Sequence, residues 1–191
     1  MVMVWVVVMA GPALATGIAF GIGGFYFQPV EKAFDDIYGT GRGINAEGII
    51  RLWKNLDFWV GAGYYTQKGK LTFTKEETTV KILPVKAGLR LRLPVSVLNF
   101  YISGGLGHFI FDEENLIGRV QETKMGYMGK LGCYVKIVKG LYIDCHFQYS
   151  HCSIKPLEIE ADIGGMSLGL GIGYDFGLGE KEEKWVWREV K

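Results

Sequence analysis

M-S-L-G-L-G-I-G-Y-D-F, residues 166 to 176, alternates without a break. Met166, Leu168, Leu170, Ile172, Tyr174 and Phe176 are large and apolar; Ser167, Gly169, Gly171, Gly173 and Asp175 between them are small or polar. A period of two is the mark of a strand whose two faces meet different surroundings. A tilted strand needs about 9–11 residues to cross a bilayer, whereas a soluble strand is usually nearer about 5–6. This segment has the longer measure, and it closes on an aromatic residue, where an interfacial girdle sits in a membrane barrel.

The same alternation recurs upstream. Gly17 to Phe27 carries Ile18, Phe20, Ile22 and Tyr26 on one face. Gly43 to Trp53 sets Ile44, Ala46, Gly48, Ile50 and Leu52 against Asn45, Glu47 and Arg51. Leu56 to Gln67 sets Phe58, Val60, Ala62 and Tyr64 against Asp57, Gly61, Gly63, Tyr65 and Gln67. Val80 to Leu93 is the clearest of all, with Leu83, Val85, Ala87, Leu89, Leu91 and Leu93 opposed to Lys86, Gly88, Arg90 and Arg92. Asn99 to Phe111, Met125 to Ile137 and Leu141 to His151 complete the series. Within them Lys130, Lys136, Asp144 and His146 fall opposite an apolar row.

These segments predict eight strands in four hairpins. The connections at 54–55, 94–98 and 138–140 are short; those at 28–42, 68–79, 112–124 and 152–165 are long and polar, and 68–79 is read as an extension of its hairpin beyond the membrane. Short turns at one end and long loops at the other are expected of an outer-membrane barrel. Closure removes the open sheet edges that lipid does not tolerate. The expected fold is all-β, a closed eight-stranded antiparallel up-and-down transmembrane β-barrel over residues 16–176. A barrel of about eight strands is filled by its own side chains, so no wide pore is expected. The inward row then holds Glu47, Arg51, Asp57, Lys86, Arg90, Arg92, Lys130, Lys136, Asp144, His146 and Asp175. Their simplest role is a lumenal network of ion pairs and hydrogen bonds that compensates buried charge.

Composition agrees. The 28 glycines and 14% aromatic residues suit close-packed strands, and a mean hydropathy of +0.16 is too low for a helical membrane bundle. A net charge of +1 without a basic stripe argues against nucleic-acid binding. Three cysteines, Cys133, Cys145 and Cys152, make no complete disulfide framework, and no pair has metal-ligand spacing. No metal or cofactor is expected. Residues 1–15 combine an apolar run with Ala13-x-Ala15, as in a secretory signal, though no Lys or Arg precedes the run. Residues 177–191 form a charged tail ending W-V-W-R-E-V-K.

On these strands, on the Asp162-Ile163-Gly164-Gly165 entry to the last one and on the closing Gly173-Tyr174-Asp175-Phe176, the chain resembles the small eight-stranded bacterial outer-membrane barrels of the OmpA/OmpX-like, porin-family class. The resemblance implies a bacterial outer-membrane location, contact with outer-membrane lipid, passage through the barrel-assembly machinery, and a monomer. It implies a structural or surface-interaction role, with an external ligand or surface met through the long loops; Phe34, Asp35, Asp36 and Tyr38 are the candidates in loop one. Tyr149-Ser150-His151-Cys152-Ser153 is also similar to the His-x-Ser segment of outer-membrane lipid A deacylases. That offers an alternative in which His151 activates Ser153, although Ile154 replaces that family's Asn. Glu158 and Glu160 are the candidates for orienting the histidine. A further alternative is a soluble lipocalin-like barrel with its apolar residues inside and a small ligand bound there.

Overall fold

In the computed structural model the described residues are 17–70, 76–95, 98–115, 118–155 and 161–177. The segments expected to be a signal peptide (1–15) and a tail (177–191, apart from Gly177) lie outside them, as do Glu158 and Glu160. The chain runs β1 (Gly17–Pro29), α1 (Lys32–Tyr38), β2 (Gly41–Arg51), β3 (Leu56–Lys70), β4 (Glu77–Val95), β5 (Leu98–Asn115), β6 (Gly118–Val138), β7 (Leu141–His151), β8 (Ser153–Ile154), β9 (Ala161–Asp162) and β10 (Gly165–Asp175). Eight of the strands close in the order β1-β10-β7-β6-β5-β4-β3-β2. The seam is antiparallel and continuous from Ala19↔Asp175 to Pro29↔Gly165. Thus the alternating stretch at 166–176 is the strand that closes the ring.

The pleat sorts the residues as the alternation demands. Leu83, Val85, Leu89, Leu91 and Leu93 on β4 and Met166, Leu168, Leu170, Ile172 and Tyr174 on β10 are exposed on the outer surface. Arg51, Asp57, Lys86, Arg90, Arg92, Lys130, His146 and Asp175 are buried within. An apolar belt outside and charge inside is the arrangement lipid requires, and it is the reverse of a lipocalin-like barrel; the soluble alternative falls on this point. The small residues of β10 have a steric cause. A Cβ at Gly169 would lie 2.3 Å from His146 Nε2, and one at Gly173 would lie 2.2 Å from the Tyr142 ring. The two large side chains of β7 lean into the space those glycines leave.

Three expectations about connections are corrected. Residues 112–124 are not a loop, because β5 and β6 stay paired from Leu98↔Val135 out to Asn115↔Gly118. The β3–β4 hairpin extends as expected of 68–79, pairing out to Lys70↔Glu77, and Thr78 still pairs with Asn115. The four strands together form a wall at the long-loop end, taller than the opposite side, where β7, β10, β1 and β2 stop near His151, Gly165, Pro29 and Gly41. Second, the loop after β1 contains α1. Third, the β2–β3 turn is wider than Lys54-Asn55: β2 ends at Arg51, and Leu52 N and Trp53 N both donate to the Leu56 carbonyl. The β6–β7 turn is tight, with Lys139 at φ 20° and Gly140 at φ 89°. Positive φ at both central residues gives a two-residue hairpin the twist its strands need.

Candidate functional site

The inward row forms three layers of paired charge. Nearest the short turns, Arg51 is ion-paired to Asp175, and Lys136 Nζ reaches the same carboxylate at 3.4 Å. Arg92 Nε donates to Asp57 at 3.0 Å and its Nη2 to the Lys54 carbonyl at 3.0 Å. In the middle, Glu47 accepts from Arg90 and, at 2.7 Å, from Lys130 Nζ. Arg90 also lies 4.1 Å above the Tyr101 ring, whose hydroxyl donates to Asp144 at 2.9 Å. Asp144 in turn sits 2.6 Å from His146 Nδ1. Above this, Lys86 Nζ donates to Gln148 at 3.1 Å.

The eleven lumenal residues expected from the alternation thus share one interior, with one qualification. The Lys136 side chain is 43% exposed, so it stands at the short-turn rim and reaches in only with its ammonium. Trp59 joins them, a lumenal residue that a reading for charge passes over. It has the parity of Asp57 and Gly61, is 1% exposed, and lies 5.5 Å from Lys130 Nζ. Arg90 Nε and Asn45 Oδ1 have no protein partner among the described residues. Both line an internal cavity of about 30 Å³, enough for one or two waters, which would satisfy them.

The long-loop end is stoppered by apolar side chains. Phe34 and Tyr38, four residues apart on α1, are buried with Phe27, Tyr65, Val80, Ile82, Phe109 and Phe111 of the barrel, and with Cys152, Ile154 and Ile163 near the β8–β9 ribbon. The Phe27 and Tyr65 rings meet edge to face at 4.9 Å. Tyr38 Oη lies 3.3 Å from Thr78 Oγ1, and Thr78 donates to Glu113 at 3.1 Å. Burial pushes the Tyr38 hydroxyl well above the usual tyrosine range. Phe34 and Tyr38, picked as candidates for external binding, therefore point inward. Asp36 is exposed, and Asp35 accepts from Gln28 at 3.0 Å.

His151 ends β7 on the outward face, its ring 5.0 Å from that of Tyr127. Its Nδ1 bonds Asp162 Oδ2 at 2.6 Å, an acid not among the expected Glu158 and Glu160. The other oxygen of Asp162 accepts from Cys152 N at 3.0 Å and Gly164 N at 2.8 Å, which fixes the carboxylate where the β7–β10 hairpin is interrupted. Ser153 stands opposite Asp162 in the ribbon. Histidine, acid and serine are thus neighbours, and the hydrogen bond that holds the histidine is to the acid.

A closed barrel with an apolar belt and a charged, filled lumen defines an integral protein of the bacterial outer membrane. The sequence agrees: residues 2–176 match the outer membrane protein beta-barrel domain, and the chain belongs to that family. Solved structures show the same fold. Neisserial surface protein A is 12% identical, with a TM-score of 0.65, covering 85% of this chain and 98% of its own. OprG from Pseudomonas aeruginosa is 13% identical, with a TM-score of 0.69, covering 85% and 97%. Ail of Yersinia pestis, solved with the heparin analogue sucrose octasulfate, is 17% identical, with a TM-score of 0.58, covering 84% and 99%. Comparison with curated protein sequences finds no match.

Proposed function

We propose that this barrel is a non-conducting, monomeric surface protein that acts through the wall raised by β3–β6 rather than through its lumen. The observation that carries this reading is the stopper. Phe34 and Tyr38 of α1 fill the mouth with the aromatic residues around them, and beneath them the lumen is closed by paired charge. What remains to meet the outside is the wall. Its outer face changes from the leucines of β4 to Lys81, Thr79 and Glu77, and from Met125 of β6 to Thr123, Gln121 and Arg119. On that face Arg119 clasps Asp112 with two bonds of 2.7 and 2.6 Å. The described β5–β6 extension holds Asp112, Glu113, Glu114 and Glu122 against Arg119 and Lys124.

Two measurements test this. In planar bilayers the purified barrel should give no sustained conductance steps; a stable open channel refutes the closed lumen. A variant with residues 112–124 shortened to a tight turn should keep its heat-modifiable gel shift. Displayed on a host cell without other adhesins, it should lose adherence to epithelial monolayers and abiotic surfaces relative to the full barrel. Equal adherence removes the wall from the function.

A second reading, ester hydrolysis at the outer leaflet, is favoured by the His151–Asp162 bond, the arrangement that leaves Nε2 free to act as a base. It requires the Ser153 hydroxyl to give its proton to Nε2 as the oxygen attacks the ester. Fatty-acid release from outer-membrane lipid that is abolished by both Ser153→Ala and His151→Ala would establish it; equal release from all three proteins would dispose of it.

A further inference from the structure

Cys133 and Cys145 are twelve positions apart in sequence, and the β6–β7 register sets them directly opposite each other. Both belong to the outward rows of their strands; Cys133 is half-buried and Cys145 exposed. The flanking pairs, Leu131↔Phe147 and Val135↔Ile143, continue the ladder on either side, so the two thiols are held side by side inside the apolar belt. Directly opposed residues of an antiparallel pair have Cα atoms about 4.5 or 5.5 Å apart, depending on which of the two pair types they form. Either value lies inside the window of about 4.4–6.8 Å that a disulfide spans. The third cysteine is of another kind. Cys152 is fully buried, its Sγ 3.9 Å from the Lys124 carbonyl, and burial beside the Asp162 carboxylate pushes its thiol up to about 11. A protonated, enclosed thiol is a poor nucleophile.

We propose that Cys133 and Cys145 form a cross-strand disulfide in the mature outer-membrane protein and that Cys152 remains a free thiol. The odd number of cysteines then has a structural reading: two face each other across a ladder, and the third is sealed into the stopper. A bacterial outer-membrane protein reaches its membrane through the oxidising periplasm, where disulfides form and persist. The step balances with a periplasmic protein disulfide as oxidant. The thiolate of one cysteine attacks the carrier disulfide to give a mixed disulfide. The second cysteine, as thiolate, attacks the sulfur of the first and expels the carrier as a dithiol. The chain loses two protons and two electrons and gains one S–S bond; the carrier accepts both electrons. The exchange belongs to the stage at which the β6–β7 hairpin has paired, which sets Cys133 against Cys145 and leaves Cys152 beyond the ladder, but before its outer face enters lipid, because afterwards both sulfurs face hydrocarbon. Once inserted, the bridge is out of reach of water-soluble reductants.

The test weighs the intact protein. Outer membranes from aerobic cells are quenched in acid, and the full chain is unfolded and alkylated with N-ethylmaleimide without reductant. The expected product carries one adduct and is two hydrogens lighter than the reduced chain; after reduction it carries three adducts. Cys152→Ala separates the positions, with no adducts expected before reduction and two after. Three adducts on the unreduced wild-type chain, or two on the unreduced C152A chain, overturn the proposal. Wild-type and C152A barrels should both resist reduction while folded in membranes and be reduced once unfolded; equal reduction in both states refutes the burial of the bridge in the lipid belt.

Discussion

Glu47→Gln is the most informative single change in this molecule. The carboxylate receives both Arg90 and Lys130, whose side chains are 2% and 4% exposed. The substitution keeps the shape and removes the anion, leaving two cations facing each other near the barrel centre. Breaking a buried ion pair by removing one partner costs about 3–5 kcal/mol, because the survivor keeps its desolvation cost without its counter-charge. Here two survivors share that loss, so the upper part of the range is expected. Replacing all three groups with apolar residues (Glu47→Leu, Arg90→Met, Lys130→Met) removes the buried charge altogether and should lie within about 2 kcal/mol of wild type, since such replacements are often neutral. The assay is urea unfolding of the barrel in detergent micelles, followed by tryptophan fluorescence; Trp59, 5.5 Å from Lys130 Nζ, reports on the site itself. If Glu47→Gln costs less than about 1 kcal/mol, water is screening these charges as at a surface, and the reasoning that treats the lumen as a packed interior fails.

Other outcomes follow from geometry already described. Gly169→Ala should destabilise the barrel by about 1–3 kcal/mol, the usual cost of overpacking, because its methyl would meet His146 at 2.3 Å. Gly129→Ala, where a Cβ meets nothing within 4 Å, should be close to neutral in the same titration. Folded protein should label at Cys152 slowly at pH 8 and faster as pH climbs toward about 11; rapid labelling at pH 7 would contradict its burial. The Asp112 carboxyl is held below its usual range, chiefly by the hydrogen bonds from Arg119. A depressed carboxyl stabilises above its unfolded pKa of about 3.9 and loses that contribution as pH falls through the folded value. Protection of the hairpin-tip amides, taken relative to the intrinsic exchange rate at each pH, should therefore be unchanged from pH 7 to 5 and fall only in stronger acid; Asp112→Asn should show the lower protection already at pH 7.

Much of this was legible in the residues. The alternation over Leu83–Leu93 put Lys86, Arg90 and Arg92 on the inner face because a pleated strand has only two faces and lipid admits only one kind of residue. Parity does not name partners. Glu47 and Lys130 are 83 positions apart and meet across the lumen, which depends on the tilt and stagger of the closed ring. Residues 112–124 hid their pairing because, above the belt, both faces of a strand tolerate polar residues and the period of two fades. The signal for α1 was present: Phe34 and Tyr38 have the i, i+4 spacing of one helical face, in a segment otherwise polar enough to pass for loop. Asp162 escaped as the partner of His151 because the two are eleven residues apart and are brought together by the fold of the β8–β9 ribbon.

The wall gives the molecule a front and a back. β6 runs for 21 residues beside an 11-residue β7; beyond Tyr127↔His151, where β7 ends, it continues to the tip pair Asn115↔Gly118, about 30 Å along its axis. A symmetrical cylinder could spin about the membrane normal without disturbing its surroundings. This one is raised on one side only, so a partner that meets the wall also meets one rotational orientation of the barrel. The direction the wall faces then becomes part of what the protein presents to the outside.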